Sequence, residues 1–430
     1  MSERTTRIGI GNGNGDGNGN GEGMTTYRDA GVDIDAQDRA LAQVKKMVRN
    51  TYTSDVLSDQ GAFGGLFRPP IKGLKEPVLV ASADGVGTKL KVAFAAGRHT
   101  TVGRDLVHHC INDILVQGAR PLFFLDYLAT GRLEPDVVAD VIGGVATACS
   151  DHGLALLGGE TAEMPGFYGD GEYDLAGFIV GLVDRRRIID GSAAKGGDVL
   201  VGLPSSGLHT NGYSLARNVF FEQLELGPGD SVKELGRSVA DELLAVHRCY
   251  FEPVWPLVEQ GWVHAMAHIT GGGLTDNLPR VLPDGLRAMI KVGAWEIPPV
   301  FRLLAEKGQV PEDDMWRTST WASGWCWSLP RNSSTKSCAT SAIRDVQGFR
   351  WVTSSRASRA SSMTIPRRAS RQVCASPVRF RLLDGQPAVR SARQTAIRQD
   401  GYTGRPPARE VSPLLGSLSR PQGDLKTQRR

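Results

Sequence analysis

The sequence changes character at about Thr318, and this break limits how much of the 430 residues can build an ordinary core. Residues 319–430 contain 18 Arg, 2 Lys, 18 Ser and four Trp, and no helical or alternating apolar period persists through them. They hold 20 Lys and Arg against 5 Asp and Glu, a net charge of +15, whereas residues 1–318 are acidic with a net of −11. The overall charge of +4 describes neither part. Reading the whole chain as a basic, nucleic-acid-binding protein is therefore excluded.

Upstream of the break the pattern is that of an α/β protein. Residues 1–23 form a leader in which every second residue from Gly11 to Gly23 is Gly. Such a segment cannot bury apolar surface and is expected to be a flexible coil. From Met24, apolar runs alternate with helical periodicity. Strands are expected over 78–85, 121–130, 155–161, 174–184, 198–203 and 265–270, with helices over 104–119, 135–153 and 241–261, the last interrupted at Pro253 and Pro256. Strands alternating with helices predict an α/β fold in two halves, 24–190 and 191–318. No window offers about 18 uninterrupted apolar residues, which excludes a membrane-spanning helix. The N-terminus lacks the basic and apolar regions of a secretory signal. Cys110, Cys149 and Cys249 are widely spaced without a CxxC partner, so reduced thiols and a cytoplasmic location are expected.

Several loops concentrate chemistry. Asp84-Gly85-Val86-Gly87-Thr88-Lys89 follows the first strand. Gly85 and Gly87 let the backbone approach an anion, Lys89 supplies charge and Asp84 can hold a hard cation. The spacing is not that of a P-loop; a turn with a salt bridge is the plainer alternative. Asp113 sits in an otherwise apolar helix and Asp126 inside an apolar strand, where a carboxylate is costly without a cation or strong hydrogen bonds. Asp84, Asp113 and Asp126 together suggest convergence on Mg²⁺. His108 and His109 read as packing or surface residues. Gly158-Gly159-Glu160 ends the third strand and fits a ligand loop. Ser206-Gly207-Leu208-His209-Thr210-Asn211 lies between a strand and a helix, where backbone N–H groups suit a phosphate. Ser206 as a triad nucleophile is disfavoured, because there is no GxSxG elbow. His268-Ile-Thr-Gly271-Gly272-Gly273 adds a second glycine turn with one ionisable side chain.

Taken together, YRDAGVDIDA (27–36), ADGVGTKL (83–90), CINDILVQGARPLFFLDY (110–127), LLGGETAEMPG (156–166), GLPSSGLHTNGYSL (202–215) and HITGGG (268–273) closely resemble the AIR synthetase (phosphoribosylformylglycinamidine cyclo-ligase) family. The resemblance runs from about Met24 to Thr318. Selenophosphate synthetase, thiamine-monophosphate kinase and formylglycinamidine ribonucleotide synthetase share the fold, but the last three motifs in combination resemble the cyclo-ligase most. The resemblance implies ATP-dependent ring closure of formylglycinamidine ribonucleotide by a homodimer of two-domain α/β subunits. It implies Asp84, Asp113 and Asp126 on Mg²⁺-ATP, with Gly85, Gly87, Thr88, Lys89, Gly158, Gly159 and Glu160 lining the nucleotide site. Ser206, Gly207, His209, Thr210, Asn211 and Gly271 to Gly273 are expected to hold the ribonucleotide, and Lys89, His209 and His268 to assist catalysis. Another ATP-using member of the superfamily is the alternative; nucleic-acid binding through the basic tail is a remoter one.

Family members continue past this point with a strand resembling FNMGVGMVLVVA. Removing one base from a coding string for that strand yields STWASGWCWSL followed by Pro, the sequence of residues 319–330 here. We read the tail as the product of a frame change near Thr318, so the second half is expected to lose an interior strand and the residues after it. Such a loss would leave apolar surface and backbone groups unpaired.

Overall fold

Each half of the chain is organised around a β-sheet. The computed structural model describes residues 32–59, 63–290, 293, 295–318, 325–329 and 351–356, so the Gly-rich leader and most of the tail lie outside the described residues. In the first half, α1 (Ile34–Asn50) starts at Asp33, whose carboxylate accepts the Ala36 amide at 3.0 Å. Ala36, Ala40, Val44 and Val48, four residues apart, form its buried stripe. The strands are β1 (Pro77–Gly85), β2 (Arg120–Thr130), β3 (Ala155–Glu163) and β4 (Tyr173–Asp184), in the order β1-β4-β2-β3. β2 and β3 are parallel and are joined through α4 (Pro135–Asp151), with Pro135 in its first turn. The other pairs are antiparallel. α2 (Lys89–Ala96) follows the glycine loop, and α3 (Thr100–Leu115) packs between sheet and α4. Gly103 and Gly144 allow that close crossing: a Cβ on Gly103 would stand 2.1 Å from the Val141 carbonyl, and one on Gly144 2.1 Å from that of Thr100.

The second half contains β5 (Val199–Leu203), the small hairpin β6 (Ser231–Val232) and β7 (Arg237–Ser238), β8 (Ala265–His268), β9 (Leu286–Met289), β10 (Trp325–Leu329) and β11 (Trp351–Arg356). Its sheet runs β8-β10-β5-β11-β9, antiparallel throughout. Short helices surround it: α5 (Tyr213–Arg217), α6 (Val239–Leu243), α7 (Phe251–Glu259), α8 (Gly273–Asn277), α9 (Pro299–Lys307) and α10 (Glu312–Thr318).

Two sequence expectations change. The helix over 241–261 is two helices, because residues 245–250 leave helical geometry to bond the first half. There the His247 amide donates to Asp105 (2.7 Å) and the Tyr250 amide to Asn112 (3.0 Å). Nor is the interior strand lost. Trp325–Leu329 pairs with β5 on one side and β8 on the other. The segment reads WCWSL, and aromatic residues suit a pleated strand, so strand propensity is present in a sequence unlike the one the resemblance implies.

Candidate active site

One row of residues crosses the first sheet and sets the floor of the site. Asp84 on β1 and Asp126 on β2 both register against Gly177 of β4, and Asp126 registers against Gly159 of β3. Asp84 and Asp126 are thus two strands apart, roughly 10 Å at the usual strand spacing. A Cβ on Gly159 would lie 2.3 Å from Asp126 Oδ1, so the glycine there makes room for the carboxylate. Asp126 is buried with its pKa pushed up to about 7 by desolvation. Glu160 beyond it is exposed.

A cluster of imidazoles and carboxylates stands at the Asp84 end of this row, where the two halves meet. Asp84 Oδ1 accepts the Gly85 amide (2.7 Å), and its Oδ2 lies 2.8 Å from His109 Nε2. Asp113, two turns along α3 from Asp105, accepts the Ser82 hydroxyl (3.0 Å) through Oδ2 and faces His268 Nδ1 (2.8 Å) through Oδ1. His109 Nδ1 meets the Thr210 hydroxyl at 2.7 Å. His247 stacks on His209 at 4.0 Å and approaches His268 Nε2 at 3.3 Å. Burial by itself lowers the pKa of His109, but Asp84, Asp113 and Asp105 outweigh it and raise it. Burial pushes Asp113 up, yet the hydrogen bond from His268 and the neighbouring imidazoles bring it below the usual carboxylate range. Burial drives His209 and His247 well below the ordinary imidazole value and lowers His268 despite Asp113.

Lys89 is not presented to a phosphate. Its ammonium is fully buried, 2.7 Å from Asp105 Oδ2, and donates to the carbonyls of His209 (3.1 Å) and Ala245 (2.8 Å). Burial lowers the Lys89 pKa and raises that of Asp105, each opposed by the partner's charge. The lysine therefore bolts the two halves together. Its neighbours in the loop remain at the surface: Gly87 takes φ +55°, and the Thr88 hydroxyl reaches that of Ser214 (3.3 Å).

The second-half loops close the site from the other side. The Ser206 hydroxyl donates to the Val246 carbonyl (2.6 Å) and its amide to His209 Nε2 (3.1 Å). His209 is itself fully buried, with φ +61°, so it shapes this loop from inside rather than lining an open surface. Gly207, at φ +148°, lies where a side chain would be strained. Asn211 Oδ1 accepts the Gly271 amide (3.1 Å), joining the two glycine loops, while its buried Nδ2 has no partner among the described residues. Asn277 holds the Gly271 and Gly273 carbonyls at 3.2 and 2.8 Å, and Gly272 sits at φ +95°.

Of the expected residues, Asp84, Asp113, Thr210, Asn211, His268 and Gly271 come together. Asp126, Gly158, Gly159 and Glu160 lie farther along the sheet, so the three aspartates do not share one point. Two carboxylates beside the cluster fit a hydrated Mg²⁺, which keeps several waters and takes one or two protein carboxylates. Asp126 does not belong to that set. His247 went unread, and His109, read from the sequence as a packing or surface residue, is buried and contacts Asp84 and Thr210 within the cluster. His108 does pack, its Nδ1 donating to the His247 carbonyl (2.6 Å), with its pKa pushed down to about 4 by burial.

Residues 71–183 match the family described as AIR synthase related protein, N-terminal domain, and residues 195–337 its C-terminal domain. The chain is 53% identical over 293 residues to the phosphoribosylformylglycinamidine cyclo-ligase of Alkaliphilus oremlandii, covering 68% of this chain and 86% of that one. It is 53% identical over 305 residues to that of Syntrophotalea carbinolica, covering 71% and 87%. Among solved structures, thiamine-monophosphate kinase from Stenotrophomonas maltophilia K279a superposes with a TM-score of 0.56 at 18% identity, over 74% of this chain and 94% of that one. E. coli HypE gives 0.51 at 16% identity, over 74% and 90%. These likenesses show a shared fold.

Proposed function

The chain belongs to the phosphoribosylformylglycinamidine cyclo-ligase family, and from that premise we propose that it closes the imidazole ring of aminoimidazole ribonucleotide in purine biosynthesis, with ATP as phosphoryl donor. What supports this most is the meeting of four motifs from two halves at one point. The Asp84 loop, Asp113, the Thr210–Asn211 loop and the His268–Gly271 loop are held within hydrogen-bond contact of one another.

The chemistry requires converting the formyl amide oxygen, a poor leaving group, into phosphate. ATP transfers its γ-phosphoryl group to that oxygen. The amidine nitrogen then attacks the activated carbon, and phosphate departs with the oxygen, leaving ADP and the aminoimidazole. Such a reaction demands positioning and charge neutralisation more than covalent help from the protein. Asp84 and Asp113 would hold Mg²⁺, which supplies charge neutralisation on the phosphates when bound. The open backbone at Gly85 and Gly87 admits an anion, and Asn211 Nδ2, buried and without a partner among the described residues, is placed to donate to the ribonucleotide. His268, aligned by Asp113, is the group suited to move a proton.

The assay is direct. Purified full-length protein given ATP, Mg²⁺ and formylglycinamidine ribonucleotide should release ADP, phosphate and aminoimidazole ribonucleotide. Asp84→Asn and Asp113→Asn should each lower kcat/KM by about 100-fold or more, the scale of losing a charge-stabilising contact. Turnover of thiamine monophosphate instead would reassign the chain within its superfamily.

A homodimer is part of the same reading. The sheet face opposite α3 exposes Leu79 (63%) and Phe178 (45%), beside the half-buried Phe123, Leu125 and Tyr127. An apolar sheet face of this kind suits a second copy. Light scattering should give twice the chain mass, and Leu79→Glu with Phe178→Glu should halve it. Among the described residues no helix is long and apolar enough to cross a membrane.

A further inference from the structure

We propose that the cavity at the base of the first sheet is a second ligand site, shaped for an aromatic phosphate monoester of nucleoside monophosphate size. Its volume is about 490 Å³, and small-molecule sites usually span about 300–1,000 Å³. Its walls are the loop before β1, the start of β2, the end of β4 and α7 of the second half. Arg120 on this wall begins β2. Asp126 stands roughly 20 Å farther along the same strand, so the cavity is remote from the active-site row.

Two aromatic side chains, one from each half, line the cavity, and both are already fixed. Trp255 of α7 stacks on Phe251 with ring centroids 5.0 Å apart, and Phe67 tilts against Phe123 at 5.2 Å. The loop carrying Phe67 is closed by two main-chain bonds of 2.8 Å: the Leu57 amide donates to the Leu66 carbonyl and the Arg68 amide to that of Asp55. Rings set in advance give a flat ligand contact area at little ordering cost.

The charged groups select an anion. Among the described residues the exposed Arg120 side chain has no hydrogen-bond or ion-pair partner. Arg187 donates through one nitrogen to the carbonyls of Val258 (3.4 Å) and Glu259, which leaves donors on its other nitrogens. Two acids on the wall are already satisfied. Asp184 accepts the amides of Lys75 (2.6 Å) and Arg186 (3.1 Å), and Asp55 pairs with Arg68 at 3.3 Å. The third, Glu259, is exposed at the end of α7. Two guanidiniums are therefore set against one uncommitted carboxylate. A phosphate monoester brings three acceptor oxygens and nearly two negative charges, enough to engage both. Arg187 already ties the first half to the last turn of α7, a cation at a helix C-terminus. A ligand spanning Arg120, Arg187 and Trp255 would fasten that helix further.

The inference is independent of ring closure, because only binding is measured. Full-length protein is titrated with AMP by calorimetry in EDTA, which removes the Mg²⁺ that nucleotide binding at the active site would use. One equivalent should bind per chain, with adenosine and inorganic phosphate each at least tenfold weaker. Arg120→Gln and Trp255→Ala should each weaken AMP at least tenfold, whereas Glu259→Gln should tighten it, since a like charge leaves the wall. Hydrogen exchange on the unaltered protein locates AMP without relying on the folding of a variant: amides in 251–259 should slow and those in 84–90 should not. No AMP binding, equal affinity for adenosine, unchanged affinity in the Arg120 variant, or slowing confined to 84–90 would each overturn the site. Any of these in a protein that makes aminoimidazole ribonucleotide overturns this inference alone. AMP bound as expected in a protein that does not close the ring leaves it standing.

Discussion

The two sheets are built by different rules. The first draws its four strands from residues 77–184, and its neighbours are joined directly by register over 8 to 10 residue pairs. In the second, β5, β8 and β9 do not pair with one another. Among the described residues they are joined only through β10 and β11, which come from beyond Thr318. The first sheet is therefore complete in its own stretch of chain, while the second depends on the segment least like a protein core in composition.

The largest effect should come from removing that segment. Ending the chain at Thr318 leaves both edges of β5 and one edge each of β8 and β9 without the partners seen here. Buried backbone groups without partners are costly, and exposed edges invite association. Hydrogen exchange should then show the amides of Val199–Leu203 unprotected, with those of Leu122–Leu128 still slow, and the protein should aggregate. Equal protection of β5 in the truncated and full chains would break the contrast between the sheets.

Next in size is the bolt between the halves. Lys89→Ala leaves Asp105 buried without its cation, a change that typically costs about 3–5 kcal/mol. The double replacement Lys89→Met with Asp105→Leu should recover much of this, although the His247 amide loses its acceptor. Denaturant midpoints of the single and double variants measure the coupling. A Lys89→Ala loss confined to kcat, with stability unchanged, would return the lysine to phosphate chemistry.

Legibility in the sequence followed locality. Strands β1 to β4, the Pro135 start of α4 and the glycine loops were readable because their signals lie within a few residues. Lys89 misled for the same reason: beside two glycines and an aspartate it reads as a phosphate ligand. Only the fold shows that the first turn of α2 aims it inward at Asp105. His247 had no local signal at all, since its role depends on Asp105 and Asn112, more than 130 residues away. β10 was missed for a different reason. The residues after Thr318 depart from the strand that the family resemblance implies, but a short run rich in Trp can still form a strand when two waiting edges supply its hydrogen bonds.

Within the complete sheet, Asp126 should impose a pH dependence. Its carboxyl is raised from 3.8 to about 7 by desolvation in the folded protein. Between these values the folded protein keeps a proton that the unfolded chain has released. Stability from this group is thus fully present below about pH 4 and is lost as pH rises through 7, on the order of 4 kcal/mol in total. Asp126→Asn should remove this loss, so its stability advantage over the parent should open between pH 4 and 7 and then level off. A gap that does not vary with pH would mean that the carboxyl is not buried as a neutral acid.

The smallest effect tests whether β10 sits inside the second sheet. Ser328 is 2% exposed, and its hydroxyl donates to Asp198 Oδ2 at 2.9 Å. The same carboxylate accepts the Lys195 amide at 2.9 Å and contacts His264 Nδ1 at 2.7 Å, while the Ser328 carbonyl accepts the His264 amide at 2.9 Å. Ser328 thus joins the approaches to β5 and β8 across the strand between them. Ser328→Ala removes one hydrogen bond to a charged group but leaves Asp198 its other partners, so a loss of about 1–2 kcal/mol is expected. The urea midpoint should fall with an unchanged slope, since the same surface is exposed on unfolding. No shift at all would place Ser328 in solvent and β10 outside the sheet, and the second half would then have to hold β5 by contacts other than strand pairing.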